Sequence, residues 1–136
     1  MSQRRLRRIV VADDDRDIAD LLSIALEESG YLVQTVYSGE DARDVTLRTL
    51  PDLLILDWMM PTIDGMEVLS AIRAHASTRD IPVVLLTAKV ADGDVWAGWQ
   101  AGADYYMTKP FDIDELLRVL TYLEDPQRGI VAVPSS

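Results

Sequence analysis

The feature that most constrains the fold is a regular alternation of short apolar runs with amphipathic helical patterns. The apolar runs start at Ile9, Tyr31, Leu53, Pro82 and Tyr105, and most of them are rich in Val, Leu and Ile. Strands that alternate with helices predict an α/β protein, with a parallel sheet covered by helices on both faces. Five such units favour a doubly wound sheet with the flavodoxin-like strand order 2-1-3-4-5.

The helices are predicted from their apolar spacing and their end signals. A helix with one apolar face is predicted from Asp15 to Ser29, and Gly30 stands where a helix commonly ends. The residues of that face are Ile18, Leu21, Leu22, Ala25 and Leu26. Further helices are predicted over about 39–49, over about 66–76, from Asp92 or Asp94 to about Gly102, and after a cap at Asp112, the last with Ile113, Leu116, Leu117 and Leu120 on its inner face.

Length and composition indicate one globular domain. The chain has 136 residues, of which 49% are hydrophobic, so a single domain with a substantial core is expected. This domain is predicted over residues 7–125. A basic leader over residues 1–6, which includes Arg4 and Arg5, and a flexible tail over residues 126–136 are expected outside it.

Charge and residue content exclude several classes of protein. A formal net charge of −10 at pH 7 repels nucleic acid and anionic membranes, so neither is an expected direct partner. The absence of cysteine excludes disulfides and thiolate metal sites. No apolar run approaches the roughly 20 residues that span a bilayer, and the N-terminus lacks a secretory signal. The sequence therefore predicts a soluble cytoplasmic protein.

Polar residues follow the apolar runs at the positions where a parallel sheet gathers its functional groups. Asp13 and Asp14 follow the first run, Asp57 the third, Thr87 the fourth and Lys109 the fifth. In doubly wound sheets the ligand site lies at the carboxyl ends of the central strands, where the strand order reverses. The topology therefore predicts that three carboxylates, a hydroxyl and an ammonium group converge at one edge of the sheet.

This set of groups suits phosphoryl transfer. Three neighbouring carboxylates need a cation if all are to stay ionised, and an oxygen-only cluster without His or Cys favours Mg²⁺. A carboxylate can act as a nucleophile toward phosphorus. The metal, Lys109 and the Thr87 hydroxyl would each take one equatorial oxygen of the phosphoryl group. The same residues suit oxidation or acyl transfer poorly.

The sequence resembles the receiver domain of bacterial two-component response regulators, in particular the stand-alone CheY-like members, over about residues 7–124. Four motifs carry the resemblance, in order along the chain: Ile9-Val10-Val11-Ala12-Asp13-Asp14-Asp15; Leu56-Asp57-Trp58-Met59-Met60-Pro61 with Asp64-Gly65; Leu86-Thr87-Ala88-Lys89; and Gly102-Ala103-Asp104-Tyr105-Tyr106-Met107-Thr108-Lys109-Pro110-Phe111. Each motif alone is weak, but the ordered set, with its key residues at predicted strand ends, is highly specific.

The resemblance implies an acceptor and a metal site. Asp57 would accept the phosphoryl group as an aspartyl-phosphate, from a sensor histidine kinase or a histidine phosphotransfer protein. Mg²⁺ would be held by Asp57, by Asp14 directly, by Asp13 partly through water and by the backbone carbonyl of Met59. The chain would not be a conventional enzyme, because it would catalyse only its own phosphorylation and dephosphorylation.

The resemblance also implies a switch and a signalling surface. Thr87 and Tyr106 would move together on phosphorylation, and the peptide bond between Lys109 and Pro110 would be cis. A downstream protein would dock on the face of the predicted fourth helix, the fifth strand and the last helix. Trp96 and Trp99 lie in that fourth helix, where an exposed tryptophan would indicate a partner surface.

The chain departs from one pattern of the family. Regulators with a winged-helix output domain usually carry an acid at the position of Tyr105 and an arginine near Val119, and these pair across a dimer. Neither is present here, although Arg118 is adjacent, so that dimer is not expected. Fewer than a dozen residues follow Asp125, so signalling by docking is expected, without an output domain.

Each site residue also has a structural alternative. Acidic residues after a strand often cap the next helix, although Asp15 is a better cap candidate than Asp13 or Asp14. The alternatives for the others are strand propensity for Thr87, a solvated surface position for Lys109 and core packing for Tyr106. His75, the only histidine, lies in a polar stretch and is predicted to be exposed, neither a metal ligand nor a phosphodonor.

Three other functions fit parts of the pattern. A flavodoxin-like ligand binder usually has a Gly- or Ser/Thr-rich loop after its first strand, whereas this loop is acidic. A Mg²⁺-dependent phosphatase with an Asp nucleophile usually carries that residue after the first strand, and here it follows the third. The main alternative is a degenerate receiver that acts as a phosphorylation-independent interaction module, and the intact set of acids argues against it.

Overall fold

Five parallel strands form the centre of the molecule. The computed structural model describes residues 6–88 and 102–124. The strands are β1 (Arg8–Ala12), β2 (Leu32–Val36), β3 (Leu53–Asp57), β4 (Val83–Thr87) and β5 (Tyr105–Thr108). They pair in the order β2-β1-β3-β4-β5, and every pair is parallel. The α/β class and the strand order predicted from the sequence are confirmed.

Four helices are described: α1 (Arg16–Glu28), α2 (Gly39–Thr49), α3 (Gly65–Ala74) and α4 (Ile113–Glu124). None of the helices within these residues is long and apolar enough to cross a membrane. The helix predicted between Asp92 and Gly102, with Trp96 and Trp99, lies almost entirely outside the described residues. The same holds for Lys89, for Arg4 and Arg5 of the predicted leader, and for the predicted tail.

Helix α1 begins directly after the three aspartates, residues 13–15, that follow β1. The Asp15 side chain caps it by accepting hydrogen bonds from the backbone N–H groups of Asp17 and Ile18, at 3.0 and 3.3 Å. Asp15 is therefore the helix cap, and Asp13 and Asp14 are left for other roles. The predicted apolar face is only partly buried, because Leu21 is 59% exposed.

The core lies in two layers, one on each face of the sheet. Strand β3 is completely buried, and its alternate residues point to opposite faces. Leu53 and Ile55 pack with α1 and α4, whereas Leu54 and Leu56 pack with α2 and α3. An uninterrupted apolar run is therefore required here, because both faces of the strand are covered.

Helix α4 closes the first of these layers. Its buried residues are Leu116, Val119, Leu120 and Leu123. Ile113 and Leu117, which were predicted on the inner face together with Leu116 and Leu120, are half-buried and pack against the edge of the cluster. The buried face is therefore rotated slightly from the predicted one.

A single arginine fastens α3 to the starts of the last two strands. The Arg73 guanidinium donates hydrogen bonds to the carbonyls of Gly102 and Ile81 and to the carboxylate of Asp104, at 2.7 to 3.0 Å. Asp104 in turn accepts the backbone N–H of Val83 at 2.8 Å. These contacts fix where β4 and β5 enter the sheet, and so where their carboxyl ends emerge.

Candidate functional site

The carboxyl ends of the strands bring the predicted site residues to one edge of the sheet. Asp57 is the last residue of β3 and Thr87 the last of β4, while Asp13 follows β1 by one position and Lys109 follows β5 by one. Carboxylate oxygens of Asp13, Asp14 and Asp57 lie within 4.8 Å of one another. The structure therefore brings together groups that are up to 96 positions apart in the sequence.

Lys109 joins the two buried carboxylates. Its Nζ lies 2.9 Å from Oδ2 of Asp13 and 3.3 Å from Oδ1 of Asp57. The other oxygen of Asp13 accepts the backbone N–H of Asp15 at 2.9 Å. Asp13 is completely buried, so these partners replace the water that its charge has lost.

The ionised form of Asp57 is disfavoured by its surroundings. The residue is only 4% exposed. Burial, and then the like charge of Asp13, raise the pKa of Asp57 to about 7. The positive charge and hydrogen bond of Lys109 offset only part of this rise, and the charge of Asp14 adds slightly to it. The protonated and ionised forms of this carboxyl group are therefore close in free energy at neutral pH. An added cation would stabilise the ionised form.

The pKa of Lys109 moves in the direction that keeps it charged. Burial alone would lower this pKa, but the hydrogen bond to Asp13 and the charge of Asp57 together raise it above its ordinary value. The ammonium group therefore remains a fixed positive charge between two carboxylates. One lysine against three acids leaves the group with a formal excess of two negative charges when all are ionised.

The donor set fits a hard divalent cation. Three carboxylates with converging oxygens, without any His or Cys, match the preference of Mg²⁺ for a few carboxylate ligands plus water or phosphate oxygens. The fit is electrostatic as well, because a divalent cation would balance the formal excess of negative charge. Met59, a residue that is 56% exposed, lies in the loop directly after Asp57 and Trp58.

The backbone after Asp57 is packed tightly against the start of α3. Trp58 donates its N–H to the carbonyl of Leu86 at 2.8 Å, and Gly65 donates to the carbonyl of Trp58 at 2.7 Å. A β-carbon on Gly65 would lie 2.5 Å from the carbonyl oxygen of Asp57 and 2.8 Å from the α-carbon of Trp58. Only glycine fits here without moving the backbone that carries Asp57.

Replacing Gly65 with alanine is therefore expected to destabilise the protein by about 1–3 kcal/mol, because the new methyl group meets backbone atoms that cannot rotate away. Urea unfolding monitored by circular dichroism would measure this loss. Ser70→Ala, at an exposed position of the same helix, is the matched control and should change stability little. An unchanged unfolding midpoint for Gly65→Ala would contradict the close packing described here.

The predicted switch residues lie beside this group. Thr87 is completely buried and its carbonyl accepts the N–H of Lys109 at 2.8 Å. Tyr106 is half-buried, and its ring meets the ring of Trp58 edge-on, with centroids 6.3 Å apart. The sequence motif contained Trp58, but nothing in the sequence predicted this contact. The peptide bond between Lys109 and Pro110 is cis.

His75 lies apart from these residues. It follows the last residue of α3 and is exposed, and its Nδ1 lies 3.0 Å from the carbonyl of Ala71. The predicted exposure of His75 is confirmed. Because it sits at the opposite end of α3 from Gly65, it has no part in the carboxylate group.

Comparison with known proteins gives consistent matches. The family model described as the response regulator receiver domain matches residues 9–121. The DNA-binding dual master transcriptional regulator RpaA of Synechocystis sp. is 44% identical over 110 residues, which cover 81% of this chain and 46% of that protein. The response regulator ArlR of Staphylococcus aureus is 40% identical over 130 residues, which cover 94% of this chain and 58% of that protein. The chain thus spans about half the length of these curated relatives.

The fold is also found among solved structures. The receiver domain of the Francisella response regulator 1452 superposes with a TM-score of 0.81 and is 33% identical in sequence. The superposition covers 87% of this chain and 96% of that chain. The likeness therefore extends over nearly the whole of a receiver domain.

Proposed function

The chain belongs to the response regulator receiver domain family, and on this premise we propose that it accepts a phosphoryl group on Asp57 from a protein phosphohistidine. The observation that carries the proposal is the position of Asp57. It is a buried carboxylate at the end of β3, its pKa is raised by burial and then by its acidic neighbours, and it is paired with one lysine. A cation that offsets the neighbouring negative charge would stabilise the ionised form of such a carboxylate.

The proposed reaction forms one bond and breaks one. A carboxylate oxygen of Asp57 bonds to phosphorus while the bond between phosphorus and the donor's imidazole nitrogen breaks, and the electron pair stays on that nitrogen. The donor is a sensor histidine kinase or a histidine phosphotransfer protein. Lys109, already 3.3 Å from the Asp57 carboxylate, stabilises one phosphoryl oxygen, and the Thr87 hydroxyl stabilises another.

Asp13, Asp14, Asp57 and the backbone carbonyl of Met59 would hold Mg²⁺ in this scheme. The ion would neutralise negative charge on the phosphoryl oxygens as they approach the acidic group. Asp13 is fixed in place by Lys109 and by the N–H of Asp15. Asp14 is the exposed member of the set.

Phosphorylation would be read out through Thr87 and Tyr106. We propose that the Thr87 hydroxyl moves toward the phosphoryl group and that the Tyr106 ring turns inward behind it, which biases an existing two-state equilibrium. A downstream protein would dock on the face formed by β5, the last helix α4 and the helix that the sequence predicts just before β5, from Asp92 or Asp94 to about Gly102. Residues 7–125 would form this receiver. The cytoplasmic location and the absence of direct nucleic-acid binding stay predictions.

Removal of the metal is expected to abolish phosphorylation. With acetyl phosphate as a small phosphodonor, intact-mass measurement should detect one added phosphoryl group in Mg²⁺ and none in EDTA. Asp14→Asn should slow the addition by at least roughly tenfold, because it removes a charged metal ligand. Asp20→Asn, an equal charge change at an exposed position of α1, should leave the rate unchanged. Equal phosphorylation with and without EDTA would contradict the proposed site.

A further inference from the structure

The loop between β1 and α1 carries Asp14, and a pair of side chains holds its far end. We infer that Arg16 and Tyr37 form a cation–π clamp that positions this loop, and so Asp14, for metal binding. This inference rests on the proposed function, because it concerns the metal site of that same reaction. It makes Arg16 and Tyr37 positioning residues that act through Asp14.

Asp14 differs from the other two acids of the site in how it is held. Asp13 and Asp57 are buried and both lie within reach of Lys109. Asp14 is exposed, and among residues 6–88 and 102–124 its carboxylate has neither a hydrogen-bond nor an ion-pair partner. Its place relative to the other carboxylates is therefore set by the backbone of the loop.

The loop is fixed on both sides of Asp14. On one side, the N–H of Asp13 donates to the carbonyl of Val36, the last residue of β2, at 3.1 Å. On the other side, the guanidinium carbon of Arg16 lies 4.0 Å from the centre of the Tyr37 ring, and Tyr37 directly follows Val36. The two residues that flank Asp14 and Asp15, Asp13 through its backbone and Arg16 through its side chain, are thus both held at the carboxyl end of β2.

Tyr37 is well suited to be the fixed half of this clamp. Its ring is half-buried and packs against the core layer shared by α1 and α4. Its hydroxyl lies 3.2 Å from the hydroxyl of Thr35, within hydrogen-bond distance. The ring is therefore held by the sheet, and Arg16, the exposed first residue of α1, is the partner that orders around it.

The charge and the clamp of Arg16 act on metal affinity in opposite directions. As a positive charge two positions from Asp14, the guanidinium repels an approaching cation, so charge removal alone would tighten Mg²⁺ binding. Loss of the clamp frees the loop, and ordering it again on binding would weaken the affinity. The sign of the change in Arg16→Gln therefore distinguishes the two effects.

The test is the Mg²⁺ affinity of the intact protein, measured by titration calorimetry at pH 8 on Arg16→Gln, Tyr37→Leu, Tyr37→Phe and the double variant Arg16→Gln/Tyr37→Leu. Arg16→Gln and Tyr37→Leu are each expected to weaken binding about two- to five-fold, the range of an exposed cation–π contact. Tyr37→Phe loses the hydroxyl contact with Thr35 but keeps the ring and its core packing, so its Mg²⁺ affinity should stay close to that of wild type. The double variant should bind no more weakly than the single ones, because the contact can be lost only once.

Two matched controls separate the clamp from general effects. Arg48→Gln removes the same charge at the end of α2, and Tyr31→Leu removes an aromatic ring before the other end of β2. Neither should change Mg²⁺ affinity, and thermal unfolding would verify that every variant is folded. Tighter or unchanged binding in Arg16→Gln, or additive losses in the double variant, would overturn the clamp alone. Absence of Mg²⁺ binding in wild type would overturn the proposed function and the clamp with it.

Discussion

Asp57→Asn is expected to stabilise the metal-free protein at pH 8 by about 1–3 kcal/mol, although it removes the residue on which the proposed function depends. The folded state raises the pKa of Asp57 from 3.8 to about 7. Above that value the buried carboxylate is ionised at a cost that the unfolded chain does not bear. Asparagine has nearly the same shape and carries no charge, so it avoids this cost.

The pH dependence of this effect has a definite sign. Between about pH 4 and pH 7, the folded state binds a proton at Asp57 that the unfolded state has released. Stability contributed by Asp57 is therefore lost as the pH rises through this window. The advantage of Asp57→Asn should be small near pH 4, grow toward pH 7 and level off above it.

Urea unfolding in EDTA at pH 5 and pH 8 would measure the effect. Asp20→Asn, at an exposed position of α1, is the control and should show no comparable dependence on pH. Added Mg²⁺ should narrow the gap at pH 8, because it binds the folded wild type more tightly than the variant. A variant that is less stable than wild type at pH 8, or a gap that does not change with pH, would contradict the electrostatic account of Asp57.

Removal of the lysine is expected to have the opposite effect. Lys109→Met keeps the length of the side chain but should destabilise the metal-free protein by about 2–4 kcal/mol at pH 8. Its Nζ lies 2.9 Å from Asp13, which is completely buried, and 3.3 Å from Asp57. Without the ammonium group, two buried carboxylates would face each other with no positive charge between them.

The same unfolding experiment, extended to a double variant, tests how the two groups interact. The loss in Lys109→Met should be smaller at pH 5, where Asp57 can take up a proton. Asp57→Asn/Lys109→Met should be more stable than Lys109→Met alone, because one of the two unpaired charges is gone. Arg118→Met, at an exposed position of α4, is the control and should have little effect. Wild-type stability in Lys109→Met would show that the lysine does not compensate these acids.

The topology could be predicted from the sequence because it depends on short-range patterns. Apolar runs of strand length, separated by helical spacing, allow few arrangements, and the parallel order follows from the crossover connections. The site could be predicted for a related reason. The carboxyl ends of parallel strands lie on one edge, so Asp13, Asp57, Thr87 and Lys109 had to be neighbours once the strands were assigned.

The contacts within the site could not be predicted in the same way. The pairing of Lys109 with Asp13 as well as Asp57 depends on side-chain packing between residues 96 positions apart. The edge-on contact of Trp58 with Tyr106 likewise depends on which faces of β5 and of the loop after β3 meet. The exposure of Leu21 shows the same limit, since apolar spacing predicts a helical face but not how much of that face the sheet covers.

The central claim is that Asp57 itself becomes phosphorylated, and the intact mass of the protein after incubation with acetyl phosphate and Mg²⁺ tests it most directly. Wild type should gain one phosphoryl group, while Asp57→Asn and Asp57→Ala should gain none under the same conditions. A gain of equal size in the variants would place the acceptor elsewhere. No gain in wild type, together with no binding of beryllofluoride, would instead indicate a degenerate receiver that acts without phosphorylation.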